Sequence, residues 1–134
     1  MNHLDSKEQL KADFLNSKTI AVLGASNEKH KFGNKIYRDL KKHGYRVFGV
    51  NPNADTIEGD PCYAAIGALP EKPDGVVFVV PPAVGLKALD DIAAANIERV
   101  WIQPGANSPE IEQRCAELGI SCFSGKCIMW HLDF

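Results

Sequence analysis

Thr19-Ile20-Ala21-Val22-Leu23-Gly24-Ala25-Ser26-Asn27, followed by Lys29-His30-Lys31-Phe32-Gly33-Asn34, is the stretch that decides the fold. An apolar run of strand length stops at a glycine, passes through small and polar residues, and enters a helical pattern. Ile20, Ala21, Val22 and Leu23 do not alternate with polar residues, which predicts a strand buried on both faces. Backbone N–H groups at a glycine-bearing strand-to-helix turn, aided by the helix dipole, form an anion site suited to phosphates. Alone this turn is a weak signal, because any α/β protein needs a small residue there. Its neighbours carry the rest of the argument.

Upstream, Asp5-Ser6-Lys7-Glu8-Gln9 carries a capping-box pattern, Asp5 to Glu8 or Ser6 to Gln9. Leu10 and Phe14 sit four apart, which predicts a short amphipathic helix within residues 1–17, packed across the domain. Downstream, Phe32, Ile36, Tyr37 and Leu40 recur at helical spacing, and Gly44 closes that helix. Lys35, Arg38, Lys41 and Lys42 cover its solvent side, and Lys41 and Lys42 are too far from the turn to meet its ligand. Lys29, His30, Lys31 and Lys35 are close enough to meet a phosphate, and the sequence does not choose among them.

Tyr45 to Val50 reads as the second strand, stopped by Asn51-Pro52-Asn53, where proline holds Asn51 extended. The chain is turn-rich through Asp60-Pro61, with a short helical turn expected at Tyr63-Ala64-Ala65-Ile66. Val76-Val77-Phe78-Val79-Val80 is the strongest strand signal in the sequence and stops at Pro81-Pro82. Val84, Ala88 and Ile92 predict a helical stripe, with Leu89 and Ala93 beside it. Arg99 to Ile102 is the next strand, ending at Gln103-Pro104-Gly105. Asn107-Ser108-Pro109-Glu110 opens a helix whose apolar face is Ile111, Cys115 and Leu118, and Gly119 ends it. Ile120 to Phe123 is a short last strand, followed by a tail, Lys126-Cys127-Ile128-Met129-Trp130.

Strands alternating with helices across short connections imply right-handed crossovers and a parallel sheet. The expected fold is α/β, a Rossmann-like doubly wound sheet of about five parallel strands with flanking helices. In such a sheet ligands bind outside the carboxyl ends of the strands. Gly24-Ala25-Ser26, Asn51-Pro52-Asn53, Val80-Pro81-Pro82 and Gln103-Pro104-Gly105 therefore share one rim.

The sequence of 134 residues, 45% hydrophobic and 24% charged, predicts one globular domain over 1–134. A net charge of -2 supplies no basic face for nucleic acid. No apolar run approaches the roughly 20 residues of a membrane span, and the first residues lack a signal-peptide core, so a cytoplasmic protein is expected. Cys62, Cys115, Cys122 and Cys127 contain no C-x-x-C, and the four histidines form no ligand pair, so no metal is expected.

A dinucleotide is the first ligand to weigh. The turn lacks G-x-G-x-x-G, since the glycine after Gly24 is Gly33, and the second strand ends in Asn51 rather than an acidic residue for the ribose diol. The sequence argues against NAD(P).

From Thr19 to Met129 the ordered set Val22-Leu23-Gly24-Ala25-Ser26, Gly44-Tyr45-Arg46-Val47, Val50-Asn51-Pro52, Val79-Val80-Pro81-Pro82, Trp101-Ile102-Gln103-Pro104-Gly105 and Cys127-Ile128-Met129 resembles the small stand-alone CoA-binding-domain proteins. That family is similar to the CoA-binding domain of the succinyl-CoA synthetase α subunit. The resemblance implies a strand-end site for coenzyme A. It puts Gly24, Ala25 and Ser26 at the CoA phosphates and Asn51 and Pro52 at the border of the nucleotide; Asn27, Lys31, Phe32 and Gly33, which follow the turn in sequence, are counted with the site. Val80, Pro81 and Pro82 then flank the adenine or pantetheine, with Gln103, Pro104 and Gly105 across the cleft. A lysine commonly follows Asn-Pro in the family, but here the position is Asn53, which leaves Lys29, Lys31 or Lys35 as replacements toward the 3′-phosphate.

No catalytic constellation emerges. His43 falls near a helix C-terminus, where a cation is favoured, His131 is read as a terminal surface residue, Ser26 lacks a G-x-S-x-G elbow, and Asp74 and Asp90-Asp91 have no evident partners. The expectation is a non-catalytic CoA or acyl-CoA binding protein with no protein partner specified. The alternatives are an NAD(P)-linked oxidoreductase, a subunit of a CoA ligase needing a partner, and an interaction module with a vestigial cleft. Cys62 and Cys127 flank rim segments and are the candidates for a mixed disulfide with the CoA thiol.

Overall fold

The computed structural model describes residues 3–132. α1 (His3–Leu15) leads into β1 (Thr19–Leu23), which is followed by α2 (Phe32–Lys42), β2 (Arg46–Val50), β3 (Thr56–Ile57) and β4 (Asp60–Tyr63). The chain continues through β5 (Gly75–Phe78), α3 (Pro82–Ala94), β6 (Arg99–Ile102), α4 (Pro109–Leu118) and β7 (Ser121–Ser124), and ends in a 3-10 turn, Ile128–His131. The strands form one sheet in the order β3-β4-β2-β1-β5-β6-β7.

The expected parallel strands are β1, β2, β5, β6 and β7, paired in register so that their carboxyl ends align: Leu23 faces Val50 on one side and Phe78 on the other, and Phe78 faces Ile102. The chain steps from β1 outward to β2 and then returns to β5 on the other side of β1. Strand order therefore reverses at the ends of β1 and β5, where doubly wound sheets open a crevice.

Alternate residues of the buried strands feed two cores. Ala21, Leu23, Val76, Phe78 and Ile102 face α3 and α4, where Leu89, Ile92 and Ile111 meet them. Ile20, Val22, Val77 and Trp101 face α2, with Phe14 from α1 and Ile36 and Leu40 from α2. Each large apolar side chain so buried contributes about 1.5–3 kcal/mol. The Phe14 ring meets Trp101 edge-on at 5.6 Å, which docks α1 on the sheet. No helix among the described residues is long and apolar enough to cross a membrane.

The structure departs from the sequence reading in five places. Residues read as turns form the β3–β4 hairpin, with β4 parallel to β2 and β3 antiparallel to β4. Pro61 is tolerable in β4 because pairing with β2 begins only at Cys62 and the pairing with β3 spans two residues. Tyr63 belongs to β4, and the helical turn falls later, at Ile66–Ala68. Asp5 and Ser6 lie inside α1, which already runs from His3.

On α3 the buried positions are Gly85, Leu89 and Ile92, whereas Val84 is exposed. A Cβ at Gly85 would stand 2.8 Å from the Phe78 ring, so the helix lays its glycine on that ring and turns Val84 outward. β5 stops at Phe78, and Val79 continues only through its N–H, which donates to the Leu23 carbonyl at 2.8 Å.

Candidate functional site

The first turn is fixed by backbone geometry. Gly24 has φ +97°, and a Cβ there would overlap the Val79 carbonyl and lie 2.8 Å from Val80 Cγ1. Gly33, in the first turn of α2, packs against the Gly24 carbonyl so closely that a Cβ would overlap its oxygen. The turn, the start of α2 and the end of β5 are thus pressed together by two glycines.

Side chains then take up the carbonyls of this turn. Asn51 Nδ2 donates to the Ala25 carbonyl at 2.8 Å, and its Oδ1 accepts the Asn53 N–H at 2.8 Å, an Asx turn. Asn34, fully buried, donates to the Ser26 carbonyl at 2.9 Å and to Glu58 Oε2 at 3.0 Å. Its Oδ1 accepts from Arg38 Nε at 2.6 Å, while an Arg38 terminal nitrogen donates to the Lys29 carbonyl at 3.2 Å. Asn27 Oδ1 accepts the Glu58 N–H at 3.1 Å, and Ser26 Oγ accepts the Glu28 N–H at 3.1 Å.

With the carbonyls engaged, donors remain. The amides of Ser26, Asn27, Phe32 and Gly33 have no backbone acceptor among the described residues, and Lys31 at the N-cap of α2 supplies no side-chain cap. That is the donor set a phosphate uses at a helix N-terminus. Lys29, His30, Lys31 and Lys35 are all exposed around it. Lys31 is paired with Glu28 at 2.6 Å, and the Lys35 ammonium lies over the Phe32 ring, 5.3 Å from its centroid.

Beside this turn a cavity of about 640 Å³ opens at the ends of β5 and β6. Phe32, Val80, Pro81, Pro82, Gln103, Pro104 and Gly105 line it, so seven of the residues singled out in sequence meet there. Gly24, Ala25, Ser26, Asn27, Lys31, Gly33, Asn51 and Pro52 do not line it; they form the hydrogen-bonded turn and its flank. Phe32 belongs to both, as the first residue of α2 and a wall of the cavity.

Sequence reasoning placed the tail segment Cys127 to Trp130 after the last strand without giving it a wall to form. Cys127, Met129 and Trp130 line the cavity because Gln103 holds the segment: its Oε1 accepts the Ile128 N–H at 2.8 Å and its Nε2 donates to Cys127 Sγ at 3.2 Å. Trp101 Nε1 donates to the Lys126 carbonyl at 2.9 Å. His131, read as a surface residue, is half-buried with its ring edge-on to Trp101 at 5.5 Å. Asn34 and Glu58 were also missed, because a buried asparagine and a hairpin carboxylate far along the chain leave no local signal.

The two candidate thiols part company. Cys127 faces the cavity, whereas Cys62 sits half-buried beyond Asn51, where burial pushes its thiol pKa up and away from the reactive thiolate. Among the described residues no three His, Cys, Asp or Glu side chains converge as metal ligands.

A family described as "CoA binding domain" matches residues 18–133. The ADP-forming acetate–CoA ligase I of Archaeoglobus fulgidus is 35% identical over 96 residues, which are 71% of this chain and 14% of that ligase. The chain therefore spans only a small part of that relative's length. A solved structure of a conserved hypothetical protein from Pyrococcus furiosus is 43% identical with a TM-score of 0.81, covering 85% of this chain and 98% of that one. Another, from Thermus thermophilus, is 32% identical with a TM-score of 0.84, covering 97% and 96%.

Proposed function

The chain belongs to the CoA binding domain family, and from that premise we propose that it is a non-catalytic CoA-binding protein holding its ligand at the carboxyl ends of the parallel strands. The observation that carries this reading is the junction at Phe32, where a donor-rich turn adjoins an apolar cavity. A CoA molecule needs both, a cradle for its diphosphate and apolar walls for the remainder. In this reading the amides of Ser26, Asn27, Phe32 and Gly33 meet the diphosphate, Asn51 and Pro52 border the nucleotide, and Lys29, Lys31 or Lys35 meets the 3′-phosphate.

Calorimetry of the ligand-stripped protein with CoA, 3′-dephospho-CoA, NAD⁺ and NADP⁺ tests it. The expected result is preference for CoA, weakened when the 3′-phosphate is absent. Preference for a nicotinamide dinucleotide, or no binding of CoA, overturns it.

A second reading is favoured by the 35% identity to an acetate–CoA ligase many times longer. In it the chain is the CoA-binding part of a ligase whose remaining chemistry resides in a partner. Co-purification with a nucleotide-binding partner, and ADP-forming thioester synthesis by the pair only, would favour that reading over the first.

A further inference from the structure

We propose that a notch in the outer edge of β2, at the end of the strand away from the rim, is a second ligand site that takes a planar, uncharged nucleobase. The proposal stands independently of the CoA reading above.

The notch exists because the ladder between β2 and β4 stops short. The Arg46 N–H donates to the Lys18 carbonyl and the Val50 carbonyl accepts the Gly24 N–H, each at 2.9 Å. Arg46, Phe48 and Val50 therefore turn their backbone groups toward β1, and Val47 and Gly49 turn theirs outward. On that side β4 pairs only with Gly49, through Cys62, and with Val50, through Tyr63. One step further back, the Val47 carbonyl would need an N–H on residue 61, which is proline. The Val47 N–H would need the carbonyl of Gly59, where the hairpin is already turning at φ +81°. Neither backbone group of Val47 has a partner among the described residues, although Val47 is only 8% exposed. Buried backbone groups are nearly always paired, so a donor and an acceptor left side by side point to a ligand that supplies both partners.

A cavity of about 240 Å³ lies at this edge. Successive strand residues face opposite sides of the sheet, which gives the cavity two walls. Tyr37 and Lys41 of α2 flank it on the face that carries the Val47 side chain. Phe48 and Tyr63, edge to face at 5.8 Å, flank it on the other. Asp60 and Pro61 close it toward β4, so it admits a ring system and not a strand running on past them. Its size is below that of a site for a drug-sized ligand. The surrounding charges are already matched: Lys41 holds Asp60 at 2.5 Å, Asp60 also accepts the Tyr37 hydroxyl at 2.6 Å, and Arg46 is paired with Glu71. With no charge to spare, the fitting ligand is neutral. A nucleobase has two flat faces for the aromatic walls and a donor beside an acceptor on one edge, as in the N6 amino group and N1 of adenine.

Adenosine titrated into the nitrogen-15-labelled protein, with and without saturating CoA, tests the proposal. The Val47 amide resonance is expected to shift saturably in both cases, with the same dissociation constant. N6,N6-dimethyladenosine lacks the amino donor and is expected to bind at least about tenfold more weakly. Pro61→Ala gives the Val47 carbonyl a partner within the sheet. That variant should resist urea at least as well as the parent protein and lose adenosine affinity by about tenfold. An unmoved Val47 resonance, equal affinity for the two nucleosides, or full adenosine affinity in Pro61→Ala would each overturn the site. Displacement of adenosine by CoA would put the base at the strand ends, leaving CoA binding intact and overturning a second site.

Discussion

The side-chain carbonyl of Gln103 accepts the backbone N–H of Ile128 at 2.8 Å, joining the end of β6 to a segment 25 residues later. The contact is buried and turns the end of the chain into one wall of the cavity. Gln103→Leu removes the acceptor and strands a buried amide, so denaturant unfolding should show a loss of about 1–3 kcal/mol. Hydrogen exchange should rise at residues 128–131 before it rises in the sheet. Gln103→Met keeps the length of the side chain without the acceptor and should lose about as much as Gln103→Leu; full stability in Gln103→Met would mean that the side chain acts only by filling space.

Gly24 and Gly44 separate backbone strain from crowding. Both have positive φ, +97° and +93°, but an added Cβ at Gly44 meets nothing within 4 Å, whereas at Gly24 it overlaps the Val79 carbonyl. Gly44→Ala should lose about 1 kcal/mol, the strain of a left-handed L-residue alone. Gly24→Ala must also move the end of β5 and should lose about 2–4 kcal/mol. Urea unfolding of the two variants checks this, and equal losses would show that the close approach at Gly24 yields without resistance.

The parallel strands were legible because Ile20 to Leu23 and Val76 to Phe78 are continuous apolar runs, and a strand buried on both faces has little other sequence form. The first turn was legible from Gly24, which closes β1 and takes a positive φ in the structure. β3 and β4 were not, since Thr56–Ile57 and Asp60–Tyr63 are too short for any period, and Pro61 argues locally against a strand. On α3 the stripe was drawn through Val84 because periodicity counts bulk, while the helix faces the sheet with Gly85. The cavity wall at Cys127 to Trp130 depends on Gln103 reaching across 25 residues, which no local pattern announces.

Glu28 places a carboxylate beside the donor-rich turn, where it engages Lys31 at 2.6 Å; the Lys31 ammonium holds the Glu28 carboxyl below its usual pKa. Both side chains are more than half exposed, so the pair adds little to folding. For an anionic ligand it matters more, because the carboxylate both repels phosphate and occupies a lysine. Glu28→Gln should tighten CoA binding about two- to fivefold at low salt, with the gain fading at about 0.5 M salt. Lys31→Ala should weaken binding by less than about threefold, since that charge is already shared. Calorimetry at two salt concentrations decides; unchanged affinity in Glu28→Gln would remove the turn from the list of phosphate sites.

His131 gives the tail segment a pH dependence of definite sign. Its Nε2 is buried and has no hydrogen-bond partner among the described residues. Burial, helped by the positive charges of Lys11 and Lys126 and opposed by Glu8, holds its pKa below the ordinary value. The folded protein therefore favours the neutral ring, and the unfolded chain takes up a proton first, near pH 6.5. The stability that depends on neutral His131 is complete above that pH and is lost as pH falls through the lower folded pKa. His131→Phe preserves an aromatic edge toward Trp101, now 5.5 Å away, and has nothing to protonate. Between pH 7 and pH 5 the wild-type Tm should fall further than that of His131→Phe, the gap widening by at least about 2 °C. Parallel Tm curves for the two proteins would mean that the imidazole is reached by water in the fold and that the tail segment is indifferent to acid.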